Sequence, residues 1–201
     1  KWMRGTVNSF YIGFVSTFLA TALGTVAALG LSRPHMPFKG LIMAILISPM
    51  IVPLIITAAG MFFFYSKLGL THSYTGLILA HTALGTPFVV ITVTATLTGF
   101  DNNLIRASQS LGADTMRTFF KVIMPLILPG VISGALFAFI TSFDEVVVVL
   151  FVGSVEQVTI PRQMWAGLRQ EISPVILCMA TCLVALSIAL LTTVELLRRR
   201  S

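Results

Sequence analysis

The chain has 201 residues, 56% of them hydrophobic and only 10% charged, with a formal net charge of +6. A soluble domain carries roughly a quarter charged residues, so the composition excludes an ordinary water-soluble fold. The excess positive charge stands at the ends of apolar runs, where anionic lipid and topology account for it; no nucleic-acid partner is expected, and membrane lipid is.

In chain order, residues 1–6 are polar, with Trp2 suited to a membrane interface. Residues 7–31 form the first predicted span. Its Gly13, Ser16, Thr17, Thr21, Gly24 and Thr25 allow close helix packing. Residues 32–40 make a tight connection containing Arg33, Pro34, Pro37 and Lys39. Residues 41–64 form the second span, and Pro49 and Pro53 should kink or open it. The third span, 76–99, is expected to be interrupted near its middle by Gly85 and Pro87. The fourth apolar run, 119–152, is too long for one straight crossing of a roughly 30 Å core at about 1.5 Å per residue. Near residues 142–145 it must bend, end its helix or reach the far surface. Residues 153–173 are a polar excursion with room for one short helix at 161–168. The fifth span, 174–197, ends in Arg198, Arg199 and Arg200. Cys178 and Cys182 share a helical face at a spacing that does not suit a disulfide. No internal repeat of the kind that builds secondary transporters stands out.

Between the third and fourth runs lies the most polar interval, Arg106 to Gly130, opened by residues 101–103. Asp101, Asn102 and Asn103 are good helix N-caps, and residues 104–111 can form two turns. Gly112 then permits a break that a residue with a Cβ resists. Asp114 can cap a second short helix, from Thr115 into Phe119 and Phe120, before Pro125 and Pro129 turn the chain into the next run. This is a shaped knob of about residues 101–121.

The knob resembles the EAA loop of binding-protein-dependent permeases, the inner-membrane subunits of type I ABC importers. The family pattern is Glu-Ala-Ala, three residues, Gly, nine residues, Ile-x-Leu-Pro. Ala107, Ser108 and Gly112 fall on the two alanines and the glycine, and Val122, Ile123, Met124 and Pro125 on its end. Arg106 stands in place of the Glu, a reversal of charge. It is either a solvated cation or a partner for an acid on the ATPase. Gly112 has a plainer reading too, as a helix C-cap with no partner. The order of spans and the run Ser48, Pro49, Met50, Ile51, Val52, Pro53 extend the resemblance over nearly the whole chain.

The resemblance implies an all-α fold, the type I importer transmembrane domain. It would be one permease domain over residues 1–201, with a leading sixth span expected ahead of Lys1. It implies a coupling helix that sits on an ATPase, with Arg106, Ala107, Ser108, Gly112, Ala113, Asp114 and Pro125 as the coupling residues. Partners would be a second permease subunit, two ATP-binding subunits and an extracytoplasmic substrate-binding protein. The chain has no GxxxxGK[ST] stretch, so ATP and its Mg are expected on the partner, with no cofactor, no metal and no catalytic site in this chain. Charge agrees on topology. Arg33, Lys39, Arg106, Arg117, Lys121, Arg198, Arg199 and Arg200 gather on one side, against Lys1, Arg4, Lys67, Arg162 and Arg169 on the other. The richer side is cytoplasmic by the positive-inside rule. That puts the knob and the C-terminus in the cytoplasm of a bacterial inner-membrane protein.

Asp144 and Glu145 are the only adjacent acids, set between apolar runs and about 36 Å along from Phe119. Ionisable groups at such depth face a cavity or a partner. One reading is a lining that attracts cations. The other is an outer helix end, solvated or paired with Arg162 or Arg169. The run Ser142, Phe143, Asp144, Glu145 resembles the Ser-Phe-Asp-acid run of polyamine permeases. That implies a cationic amine, with Phe139, Phe143 or Trp165 adding cation–π attraction. His35, His72 and His81 have no metal-ligand spacing, and His81 is expected to be a hydrogen-bonded packing residue. An ion-coupled secondary transporter or channel is the alternative class, and it usually places its acids mid-span.

Overall fold

A computed structural model describes residues 2–33, 35–101, 103–170 and 174–200, without the side chains of residues 169, 170, 194, 195 and 197–200. The expectations for Lys1, Pro34 and Asn102, and for the side chains of Arg169, Arg198, Arg199 and Arg200, lie outside the described residues. Among the described residues every regular element is helical: α1 (Trp2–Leu31), α2 (Lys39–Ile51), α3 (Leu54–Leu68), α4 (Tyr74–Thr98), α5 (Asn103–Ser110), α6 (Thr115–Thr118), a π-helical turn (Phe119–Ile123), α7 (Met124–Phe143), α8 (Val147–Val152), α9 (Ile160–Gln170) and α10 (Pro174–Arg200).

Among the described residues four helices are long and apolar enough to cross a membrane: α1, α4, the continuous helix Thr115–Phe143, and α10 over Pro174–Thr193. A fifth candidate is the pair α2 and α3, bent by 105°. The bend follows from Pro53. A residue before proline is pushed out of the helical region, and Val52 is extended, at φ −72° and ψ 134°. Pro49 stays inside α2 without breaking it.

The interruption expected at Gly85 and Pro87 is absent, and α4 runs unbroken through both. Pro87 is fully buried, in a helix held between α1 and α7, and that packing outweighs one missing hydrogen bond. Gly85 serves proximity instead, since a Cβ there would stand 3.0 Å from the Cβ of Ala138. Gly24 and Gly134 do the same more sharply. Their added Cβ atoms would lie 2.6 Å from the Cβ and 2.7 Å from the Cα of Val89. Without water to expel, close van der Waals fit is what holds membrane helices together, and these notches let α1 and α7 close on α4. Ala20, Ala28, Val89, Val93, Ile127 and Ala138 fill the seam.

The turn expected at Pro125 and Pro129 is also absent. Both prolines lie in α7, which continues α6 and the π turn as one helix of 29 residues. The π turn takes up the strain. Its closing bond runs from the Met124 N–H back to the Phe119 carbonyl, a wider loop that makes room just ahead of the Pro125 ring. At its other end α7 stops at Phe143, within the interval where the sequence required a bend or an end.

The polar excursion folds back on the N-terminal ends of α1 and α4. Asn8 donates from Nδ2 to the carbonyls of Glu156 (2.8 Å) and Val158 (2.9 Å). Its Oδ1 accepts from the Tyr74 hydroxyl at 3.0 Å. Ser9 Oγ accepts the Ile160 N–H at 2.9 Å, which starts α9. Cys178 and Cys182 are free and exposed.

Candidate functional site

The knob is a two-helix elbow whose every joint is hydrogen-bonded locally. Asp101 Oδ1 accepts the Asn103 N–H at 2.9 Å and opens α5. At the other end of α5 the Gly112 N–H donates to the Gln109 carbonyl (2.9 Å) and the Ala113 N–H to the Ser108 carbonyl (3.1 Å). This pair of bonds is the Schellman C-cap, which needs a left-handed residue, and Gly112 sits at φ +81°. Gly112 is therefore a C-cap, and the C-cap is what makes the elbow. Asp114 Oδ1 accepts the Arg117 N–H at 2.7 Å and starts α6. Ser108 Oγ meets the buried Thr118 Oγ1 at 3.0 Å, bracing α5 against α6.

Of the expected coupling residues, Arg106, Ala107, Gly112 and Asp114 are exposed, and Ser108 and Ala113 are half-buried in the brace and the cap. Pro125 is exposed too, but on α7 and a π turn away from the elbow. Leu111 and Met116, which the motif did not mark, flank the glycine and are 89% and 65% exposed. The available signal was their apolar character in an otherwise polar interval. Behind the elbow a cavity of about 380 Å³ opens between the ends of α1 and α4, with Arg33, Gln109, Thr115 and Thr118 among its lining.

The second cluster lies at the opposite end of the 29-residue helix, about 43 Å away at 1.5 Å per residue. Asp144 caps the C-terminus of α7, its N–H donating to the Ile140 carbonyl at 3.0 Å, and its side chain is exposed. Glu145 is buried, and its Oε1 accepts the Val148 N–H at 2.9 Å, which starts α8. The two adjacent acids thus separate in role, Glu145 a structural cap and Asp144 the carboxylate that faces outward. Arg162 donates to the Ser154 carbonyl rather than to either acid, and burial lowers its pKa.

Four aromatic rings pack beside this helix end. Phe10 lies 5.0 Å from Phe143, Phe14 lies 5.0 Å from Phe139, and Phe139 and Phe143 stack at 5.2 Å. Phe139 and Phe143 were expected from the sequence. Phe10 and Phe14 of α1 were not, because nothing in the pattern says which face of α1 meets α7. Phe14 stays 62% exposed, leaving ring surface open. Trp165 is half-exposed on α9, outside this set of ring contacts.

The described residues are helical throughout their regular structure, and comparison with known proteins gives the chain a family. Residues 20–201 match the family described as the binding-protein-dependent transport system inner membrane component. The chain belongs to this family. It is a permease of a binding-protein-dependent ABC importer, a multi-pass membrane protein. The spermidine/putrescine transport system permease protein PotC of Haemophilus influenzae is 31% identical over 199 residues, which cover 99% of this chain and 77% of PotC. The putrescine transport system permease protein PotI of Escherichia coli K12 is 29% identical over 181 residues, 86% of this chain and 64% of PotI. Among solved structures, an inward-facing methionine ABC transporter, MetNI, superposes with a TM-score of 0.78 at 22% identity, over all of this chain and 96% of that one. That likeness shows the fold.

Proposed function

We propose that this permease forms half of the translocation path for a polyamine or a related cationic amine. A second permease subunit supplies the other half, two ATP-binding subunits drive it and a substrate-binding protein delivers the cargo. The observation that carries the substrate class is the exposed Asp144 carboxylate, which directly follows Phe143 of a four-ring aromatic cluster. A carboxylate pairs with an ammonium group, and ring faces add roughly 0.5–2 kcal/mol of cation–π attraction. The names of the PotC and PotI relatives support the same class.

The elbow is the coupling element. Leu111 and Met116 present apolar anchors of the kind that fill a partner's pocket, and Arg106 adds an exposed cation for an acid on that partner. ATP and its Mg sit on the ATP-binding subunits. Closure of those subunits moves the elbow, and the continuous helix carries the displacement to Asp144. The richer basic side puts the elbow in the cytoplasm.

The test is uptake of labelled spermidine and putrescine into proteoliposomes holding the full complex. Asp144→Asn should reduce uptake about tenfold while leaving basal ATP hydrolysis in place. Unchanged uptake by that variant, or uptake of neither amine by the native complex, contradicts the substrate assignment.

A further inference from the structure

A buried polar junction joins α1, α4 and α7 two residues before the acidic helix end. His81 of α4 is 1% exposed, and its Nδ1 lies 2.8 Å from Ser142 Oγ of α7. Ser142 Oγ lies 3.0 Å from Ser16 Oγ of α1, and Ser16 donates to the Gly13 carbonyl at 3.2 Å. Either hydroxyl can donate in the contact between Ser16 and Ser142, and His81 Nδ1 bonds to Ser142 as donor or as acceptor. His81 Nε2 is buried without a hydrogen-bond partner among the described residues.

Ser142 is the penultimate residue of α7, two before Asp144. Helix ends fray unless held, and a span that stops inside the protein needs a tether. Glu145 ties the following chain to α8. His81 and Ser16 tie the end of α7 itself.

We propose that His81 is a positioning residue for substrate recognition: through Ser142 it fixes where α7 ends and so where Asp144 presents its carboxylate. This rests on the reading of Asp144 as the amine-binding carboxylate. No contact between His81 and the cargo is involved.

Two variants of the complete complex test it. His81→Phe keeps ring volume and removes the bond, whereas His81→Asn keeps a hydrogen-bonding nitrogen near the Nδ1 position. His81→Phe should raise the KM for spermidine uptake about tenfold with kcat within about twofold, and His81→Asn should restore KM to within about threefold of native. An independent readout uses Val148→Cys in a Cys178→Ser, Cys182→Ser background, since Val148 is fully buried in the first turn of α8. A charged thiol reagent should label it about tenfold faster with His81→Phe and at the native rate with His81→Asn. Unchanged labelling with His81→Phe overturns the tether, as does equal labelling by the Phe and Asn variants. If labelling follows the tether while spermidine KM responds neither to His81→Phe nor to Asp144→Asn, the amine reading of Asp144 fails and the tether stands.

Discussion

The two ends of the helix Thr115–Phe143 are built by opposite means. At the elbow the caps are made between near neighbours in sequence. Asp101 caps Asn103, Asp114 caps Arg117, and Gly112 and Ala113 bond back to Gln109 and Ser108. At the other end local bonds such as that of Glu145 to Val148 are joined by bonds between partners far apart in sequence. Ser142 bonds to His81 and Ser16, and Asn8 holds the loop at Glu156 and Val158. Local bonds survive when a segment moves as a piece, whereas long-range bonds survive only if the helices stay packed. On the coupling role proposed above, the elbow would be pushed by a partner and the far end would convert that push into a change of helix packing.

Substitutions break or sharpen this contrast. The largest expected effect is at the packed seam. Gly134→Leu drives a side chain into the α4 backbone at Val89 and should cost about 1–3 kcal/mol or more, read as a drop in thermal stability of the purified chain and loss of assembled complex. At the elbow, Leu111→Asp should leave that stability unchanged, because the side chain is bare. It should weaken retention of the ATP-binding subunits about tenfold, equivalent to about 1.4 kcal/mol, in co-purification. Asp114→Ala is milder. It removes one N-cap, at about 1 kcal/mol, and should raise hydrogen exchange in α6 while α7 stays protected. The smallest effect is expected for Cys178→Ser with Cys182→Ser, two exposed free thiols, which should change neither stability nor uptake. A fall in stability with Leu111→Asp as large as that with Gly134→Leu would erase the distinction between the ends.

The same contrast explains what the sequence disclosed. Features set by local chemistry were legible: the caps at Asp101 and Asp114, the break at Gly112, the bend at Pro53 and the break within the fourth run near residues 142–145. Features set by packing were not. Pro87 reads as an interruption, yet burial between α1 and α7 keeps α4 unbroken. Pro125 reads as a turn, yet the π turn before it absorbs the strain. Glu145 is paired with Asp144 in the sequence reading, and its buried carboxylate also accepts the Val148 N–H, a bond the sequence did not announce. Phe10 and Phe14 join the aromatic cluster only because α1 crosses α7 there, and no local pattern records a crossing.

The most direct test of transmission through the elbow is substrate-stimulated ATP hydrolysis by the complete complex in lipid, comparing Gly112→Pro with Gly112→Asn. Proline fixes φ near −65° and removes the N–H that bonds to Gln109. Asparagine tolerates the left-handed conformation that Gly112 adopts at +81°. Transmission through this elbow predicts that Gly112→Pro loses stimulation and uptake in a complex that still assembles, while Gly112→Asn keeps most of both. Full stimulation with Gly112→Pro would contradict it.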